Sequence, residues 1–146
     1  MVDVGYSGTP LQQKLGMKPG HRVAFPGAPE GFDAQFVGVE VRRQLRGPLD
    51  VIVVFAHTTA ELGRRFPAAR KALADDGGLW VAWPKKASKV LTDLSFEVVQ
   101  PMGLAAGLVD NKVCAIDEVW SGLRFVYRLR DRTLIHASQG RSAEHR

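Results

Sequence analysis

The sequence predicts an α/β fold: a doubly wound, mostly parallel sheet that ends in an antiparallel hairpin. Three observations carry this. Val51-Ile52-Val53-Val54-Phe55-Ala56 and Leu79-Trp80-Val81-Ala82-Trp83 are apolar runs without polar alternation, the pattern of strands covered on both faces. A helical repeat lies between them, as crossover connections between parallel strands require. After the last helical repeat, two further strand-like stretches follow one another closely, which suits a hairpin.

In chain order, Thr9-Pro10-Leu11-Gln12 reads as a helix start, with Thr9 as cap and Pro10 in the first turn, and Gly16 stops that helix. His21–Phe25 is a short strand, Pro26–Gly31 a glycine/proline loop, and Phe32–Phe36 a brief helical segment. Val37, Val39 and Val41 alternate with Gly38, Glu40 and Arg42, which predicts a half-exposed strand near the sheet edge. Arg46-Gly47-Pro48 turns the chain into the central strand at Val51. Thr58 and Glu61 form a capping box. Leu62, Phe66, Ala69 and Leu73 then share one helix face, with Pro67 expected to divide the helix and Gly77 to end it. Pro84 stops the next strand. Thr92 is the expected cap of a helix carrying Leu94, Val98, Met102 and Ala105, broken at Pro101. Asp110-Asn111-Lys112 reads as a turn, Val113–Trp120 as a strand, Ser121-Gly122 as a two-residue hairpin turn and Leu123–Leu129 as the returning strand.

Composition bounds the function. The 146 residues fit one domain, expected over 1–137, with a polar tail at 138–146. No apolar run approaches the roughly 18 residues of a membrane span. The N-terminus has no basic region followed by an apolar stretch, so no secretion signal is read. The single cysteine, Cys114, excludes an internal disulfide framework and suits the reducing cytoplasm. No Cys/His cluster points to zinc. The net charge of +5 is spread along the chain rather than gathered in a stripe or arm, which argues against a nucleic-acid partner.

Two resemblances appear on specific residues. Leu15-Gly16-Met17-Lys18-Pro19-Gly20-His21-Arg22-Val23 resembles the lead-in to the first strand of S-adenosylmethionine-dependent methyltransferases. Ala74-Asp75-Asp76-Gly77-Gly78-Leu79-Trp80-Val81 resembles their double-glycine strand, and the terminal hairpin their last two strands. The fold this implies is a trimmed, Rossmann-like one, with S-adenosylmethionine as a candidate cofactor. Gly5-Tyr6-Ser7-Gly8-Thr9-Pro10-Leu11, Gly78–Lys86 and Gly107–Asp117 resemble a bacterial family catalogued as a domain of unknown function, which implies no activity. The chain departs from the methyltransferase pattern in two respects. Its loop Gly27-Ala28-Pro29-Glu30-Gly31 has two glycines rather than three. Only 25 residues, 26–50, separate the first strand from the central one, room for one further strand where that family has two. The carboxylate expected to end the second strand would fall at Gln44, Leu45 or Arg46, none of them acidic, and Glu40 comes too early.

Open α/β sheets bind ligands at the carboxyl ends of their strands. The residues expected to form a pocket there are Gly27, Glu30, Gly31, His57, Lys85, Lys86 and Asp117. Lys85 and Lys86 leave a buried strand and are anion-recognition candidates, or a solvated loop pair. His57 is a candidate base or donor, or a ring that pairs with the following helix; no adjacent acid orients it. Glu30 can reach a ligand hydroxyl or stand in water. Asp117, read as lying within a strand, needs a partner if buried, and Lys85 or Lys86 is one choice. Trp83 and Trp120 form an aromatic wall or belong to the core. Arg42, Arg43 and Arg46 permit a phosphate near the second strand. No catalytic residue and no metal ligand is assigned. The leading expectation is a methyltransferase-like domain that binds a small anionic or nucleotide-type ligand. The alternatives are a small-molecule methyltransferase, and an interaction module whose strand at Val37–Val41 pairs with a second copy or a partner.

Overall fold

Six strands form a single sheet in the order β2-β1-β3-β4-β6-β5 in the computed structural model, which describes residues 10–132. The elements are α1 (Leu11–Lys14), β1 (Arg22–Ala24), a 3₁₀ turn (Phe32–Gln35), β2 (Glu40–Val41), β3 (Leu49–Phe55), α2 (Thr59–Ala72), β4 (Leu73–Pro84), a second 3₁₀ turn (Lys86–Ser88), α3 (Phe96–Ala105), β5 (Leu108–Ala115) and β6 (Trp120–Tyr127). β2, β1, β3 and β4 run parallel, and β6 is antiparallel to both β4 and β5. The doubly wound, mixed sheet read from the sequence is therefore the observed one. Among the described residues no helix is long and apolar enough to cross a membrane. The Thr9 cap, the Gly5–Leu11 motif up to Thr9 and the tail at 138–146 lie outside the described residues.

β3 explains the architecture. Ile52 and Val54 pack into one apolar cluster with Leu62, Phe66 and Ala69 of α2 and Val99 of α3. Val51, Val53 and Phe55 pack on the opposite face with Leu15, Met17, Phe32, Phe36 and Trp120. Both faces are buried, so the strand has no use for polar alternation. The cap half of the box forms as read, Thr58 Oγ1 accepting the Glu61 N–H at 3.1 Å, while Glu61 Oε1 reaches one residue past the cap and accepts the His57 N–H at 2.8 Å.

Tertiary context overrides several local signals in the sequence. α2 and α3 run unbroken through Pro67 and Pro101. Both prolines are exposed, as are Gly63 and Glu97 four residues earlier, so the carbonyls that lose their helical partner belong to solvent-facing residues, where the loss is cheap. Leu73 begins β4 instead of continuing the helix, and Gly77 and Gly78 lie inside that strand. They are small because neighbours press on them: a Cβ at Gly77 would lie 2.8 Å from the Asp50 carbonyl oxygen, and one at Gly78 2.5 Å from Arg124 Nε. Thr92 does not cap α3; Ser95 stands at that position, and the Thr92 hydroxyl donates to the His57 carbonyl at 2.6 Å.

The hairpin turns four residues earlier than expected. Asp117 Oδ1 accepts the backbone N–H groups of Val119 and Trp120, each at 2.8 Å, a side-chain-closed turn. Gly122 lies within β6, where a Cβ would meet Ile116 at 3.0 Å and Trp80 at 3.1 Å. Asp110, Asn111 and Lys112 belong to β5, with the register shift falling between Asp110 and Lys112. The half-exposed strand expected from Val37 is only Glu40–Val41, because Gly38 at φ 72° turns the chain and leaves Val37 in water.

Candidate functional site

The pairings Ala24–Ile52, Phe55–Ala82 and Pro84–Trp120 bring the carboxyl ends of β1, β3 and β4 to one edge, beside the start of β6. A crevice of about 530 Å³ opens there above β1 and β2, within the usual size range of small-molecule sites. Its walls are the Pro26–Gly31 loop, Asp33, and the end of β2 at Arg42, Arg43 and Leu45. Phe25 also lines it and is fixed by Phe32, edge-on at 5.2 Å, and Phe36, stacked at 5.3 Å.

The loop is held down from below. Phe55 donates its N–H to the Pro26 carbonyl at 2.9 Å. Gly27 has φ 79°, and a Cβ there would lie 2.6 Å from the Phe55 carbonyl oxygen and 2.8 Å from a guanidinium nitrogen of Arg65. Arg65 itself donates to that carbonyl at 2.7 Å and sits 3.3 Å from Glu61. Gly27 is thus required by packing against β3 and α2.

Of the seven expected residues, Gly27, Glu30 and Gly31 line the crevice. The other four lie outside its lining; one of them, His57, ends an aromatic row that starts at the crevice, in which Phe25, Phe32, Phe55, Trp120 and His57 touch in sequence at 4.9–5.2 Å. Lys85 donates its N–H to the Val119 carbonyl at 2.7 Å; its neighbour Lys86 is exposed and opens a 3₁₀ turn. Asp117 is exposed in the hairpin turn and spends an oxygen on backbone. It is not a buried strand carboxylate, and among the described residues it forms no ion pair with either lysine. Trp83 and Trp120 belong to clusters on opposite faces of the sheet, so they form no common wall.

His57 does have an acid, one helical turn along. Glu61 Oε1 lies 3.5 Å from its Nδ1. The carboxyl of Glu61 is held below its ordinary pKa, first by the His57 backbone N–H, against the opposing pull of desolvation, with the Arg65 charge adding to the effect. The capping box contained this signal, since the Glu that closes such a box returns to the chain just before the helix.

The position that follows β2 differs from the Gln44–Arg46 expected to hold the ribose acid. β2 stops at Val41, so the residues that follow it are Arg42 and Arg43, not Gln44–Arg46. Arg42 is still fixed by the sheet, donating its N–H to the Val23 carbonyl at 2.7 Å. The arginines do not suit the free ribose hydroxyls of S-adenosylmethionine, which an acid at this position would accept. Among the described residues no group of three or more His, Cys, Asp or Glu is placed to hold a metal ion.

No family model matches the chain, and no curated protein does. Solved structures do. A ribosomal protein L11 methylase from Lactobacillus delbrueckii subsp. bulgaricus superposes with TM-score 0.52 at 13% identity, over 81% of this chain and 75% of that one. Aeropyrum pernix fibrillarin in complex with S-adenosyl-L-methionine gives 0.53 at 14%, over 80% and 73%. A precorrin-6y C5,15-methyltransferase from Geobacter metallireducens gives 0.52 at 8%, over 81% and 86%. At these identities the likeness is one of fold, and the fold is the Rossmann-like one of the methyltransferases.

Proposed function

We propose that this chain is a methyltransferase-like domain that binds an adenosine-type ligand in the crevice at the carboxyl ends of β1 and β2. The observation that carries this is the crevice itself. It lies at the edge where open α/β sheets take ligands, and its lining combines the Phe25 ring with the charged side chains of Glu30, Asp33, Arg42 and Arg43. Calorimetric titration with adenosine, S-adenosylmethionine, S-adenosylhomocysteine and NADPH tests it. Saturable binding of at least one, abolished when Ala28→Trp fills the crevice in a protein that still folds, is the expected result. Binding unaffected by Ala28→Trp, or no binding to any of them, contradicts it.

A second reading is S-adenosylmethionine-dependent methylation of a small molecule. It is supported by the fold shared with the L11 methylase and with the fibrillarin that carries S-adenosyl-L-methionine. His57, oriented through Nδ1 by Glu61, is then the candidate base at the acceptor side. Transfer of a labelled methyl group to any small-molecule acceptor, lost in His57→Ala, supports this reading. Tight binding of adenosine without binding of S-adenosylhomocysteine contradicts it.

A further inference from the structure

We infer that the crevice selects a nucleoside carrying a phosphomonoester, with the phosphate held by Arg42 and Arg43. This rests on the reading of the crevice as an adenosine site and names the chemical class of its ligand.

Two arginines stand where β2 ends and both line the crevice. In nucleotide-binding α/β sheets an acid at this place accepts ribose hydroxyls, and an arginine there takes a ribose phosphate. The run 42–46, Arg-Arg-Gln-Leu-Arg, holds no acid. Arg42 is prepared for such a role. Its backbone donates to β1, its Nε donates to Glu40 Oε2 at 2.6 Å, and its Nη2 pairs with the same oxygen at 2.5 Å. Glu40 does not line the crevice. Among the described residues Nη1 of Arg42 has no partner, so one edge of the guanidinium stays available. Arg43 is less committed. Its closest charge, Asp33 Oδ2, lies 3.9 Å away, too far for a hydrogen bond, and its side chain is 87% exposed. It can swing onto a ligand at little cost.

The opposite charges on the rim are Glu30 and Asp33, and Asp33 stands beside Arg43. Glu30 follows Pro29 in the loop, and Asp33 belongs to the 3₁₀ turn. Carboxylates only accept hydrogen bonds, so they suit the hydroxyl or amino donors of a nucleoside and repel a phosphate. The rim therefore fits a ligand that offers an anionic group to the arginines and hydroxyl or amino donors to the carboxylates. A guanidinium pair matches phosphate geometry better than it matches a neutral diol.

The test is calorimetric titration of the full chain with adenosine, its 2′-, 3′- and 5′-monophosphates, S-adenosylhomocysteine and inorganic phosphate, repeated on Arg42→Gln, Arg43→Gln and the double variant. The expected result is that at least one monophosphate binds roughly tenfold or more tightly than adenosine, as a charge-assisted contact supplies. The ratio of monophosphate to adenosine affinity should fall towards one in the double variant. Adenosine or S-adenosylhomocysteine binding as tightly as every monophosphate overturns the inference and leaves the adenosine site standing. A phosphate preference that survives the double variant also overturns it. Inorganic phosphate binding as tightly as the monophosphates, with adenosine silent, or no binding at all, overturns both. Unchanged melting temperatures in the variants exclude misfolding as the cause.

Discussion

Glu61 Oε1 accepts the backbone N–H of His57 at 2.8 Å and lies 3.5 Å from the same residue's Nδ1. One carboxylate therefore closes the amino end of α2 and orients the imidazole at the end of β3. The arrangement gives a pH dependence. Glu61 has a lowered pKa in the folded protein, so the unfolded chain takes up its proton more readily. The stabilisation from this group is complete above about pH 4.3, the ordinary glutamate value, and is lost as pH falls through the lower folded value. Glu61→Gln should melt earlier than the parent at pH 7, and the gap should narrow as pH falls below about 4. Thermal melts across that range check this; a constant gap contradicts it.

Thr58 caps the same helix with its side chain. Thr58→Ala should cost about 1 kcal/mol of stability, as N-cap losses typically do. Urea unfolding followed by circular dichroism measures it.

Gly103 in α3 faces Phe125 of β6. A Cβ there would lie 2.0 Å from the Phe125 ring, and that ring is fully buried with nowhere to retreat. Gly103→Ala should destabilise by about 1–3 kcal/mol despite alanine's better helix propensity. Trimming the ring in Gly103→Ala/Phe125→Leu should recover part of the loss, and double-mutant-cycle analysis of unfolding free energies reads the coupling.

Pro67 sits on the water-facing side of α2 and leaves the helix continuous. Pro67→Ala restores a backbone donor without disturbing the core, and should stabilise by about 1–3 kcal/mol. A neutral or destabilising result in denaturant titrations would show that the proline fits the helix without cost.

The sequence carried the layers more clearly than the boundaries. Val51–Ala56 and Leu79–Trp83 announced buried parallel strands because burial on both faces removes polar residues, and Thr58 with Glu61 announced the helix between them. The glycines misled. Gly77, Gly78 and Gly122 resemble breakers in one dimension, yet each lies in a strand because Asp50, Arg124, Ile116 or Trp80 crosses over it. Asp117 resembled a strand residue, but its oxygen closes the hairpin turn. The site divided for a related reason. Spacing brought Gly27, Glu30, Gly31, His57, Lys85, Lys86 and Asp117 to one sheet edge, but only the first three line the crevice. The arginines line the crevice because β2 ends at Val41, directly before them.

The central claim is that the crevice over β1 and β2 is the binding site. Amide chemical-shift mapping during titration with adenosine and its monophosphates tests this most directly. The account predicts shifts concentrated at Gly27, Ala28, Glu30, Gly31, Arg42 and Arg43. Shifts centred instead on Lys85, Lys86 and Asp117, with the loop after β1 unmoved, would contradict it.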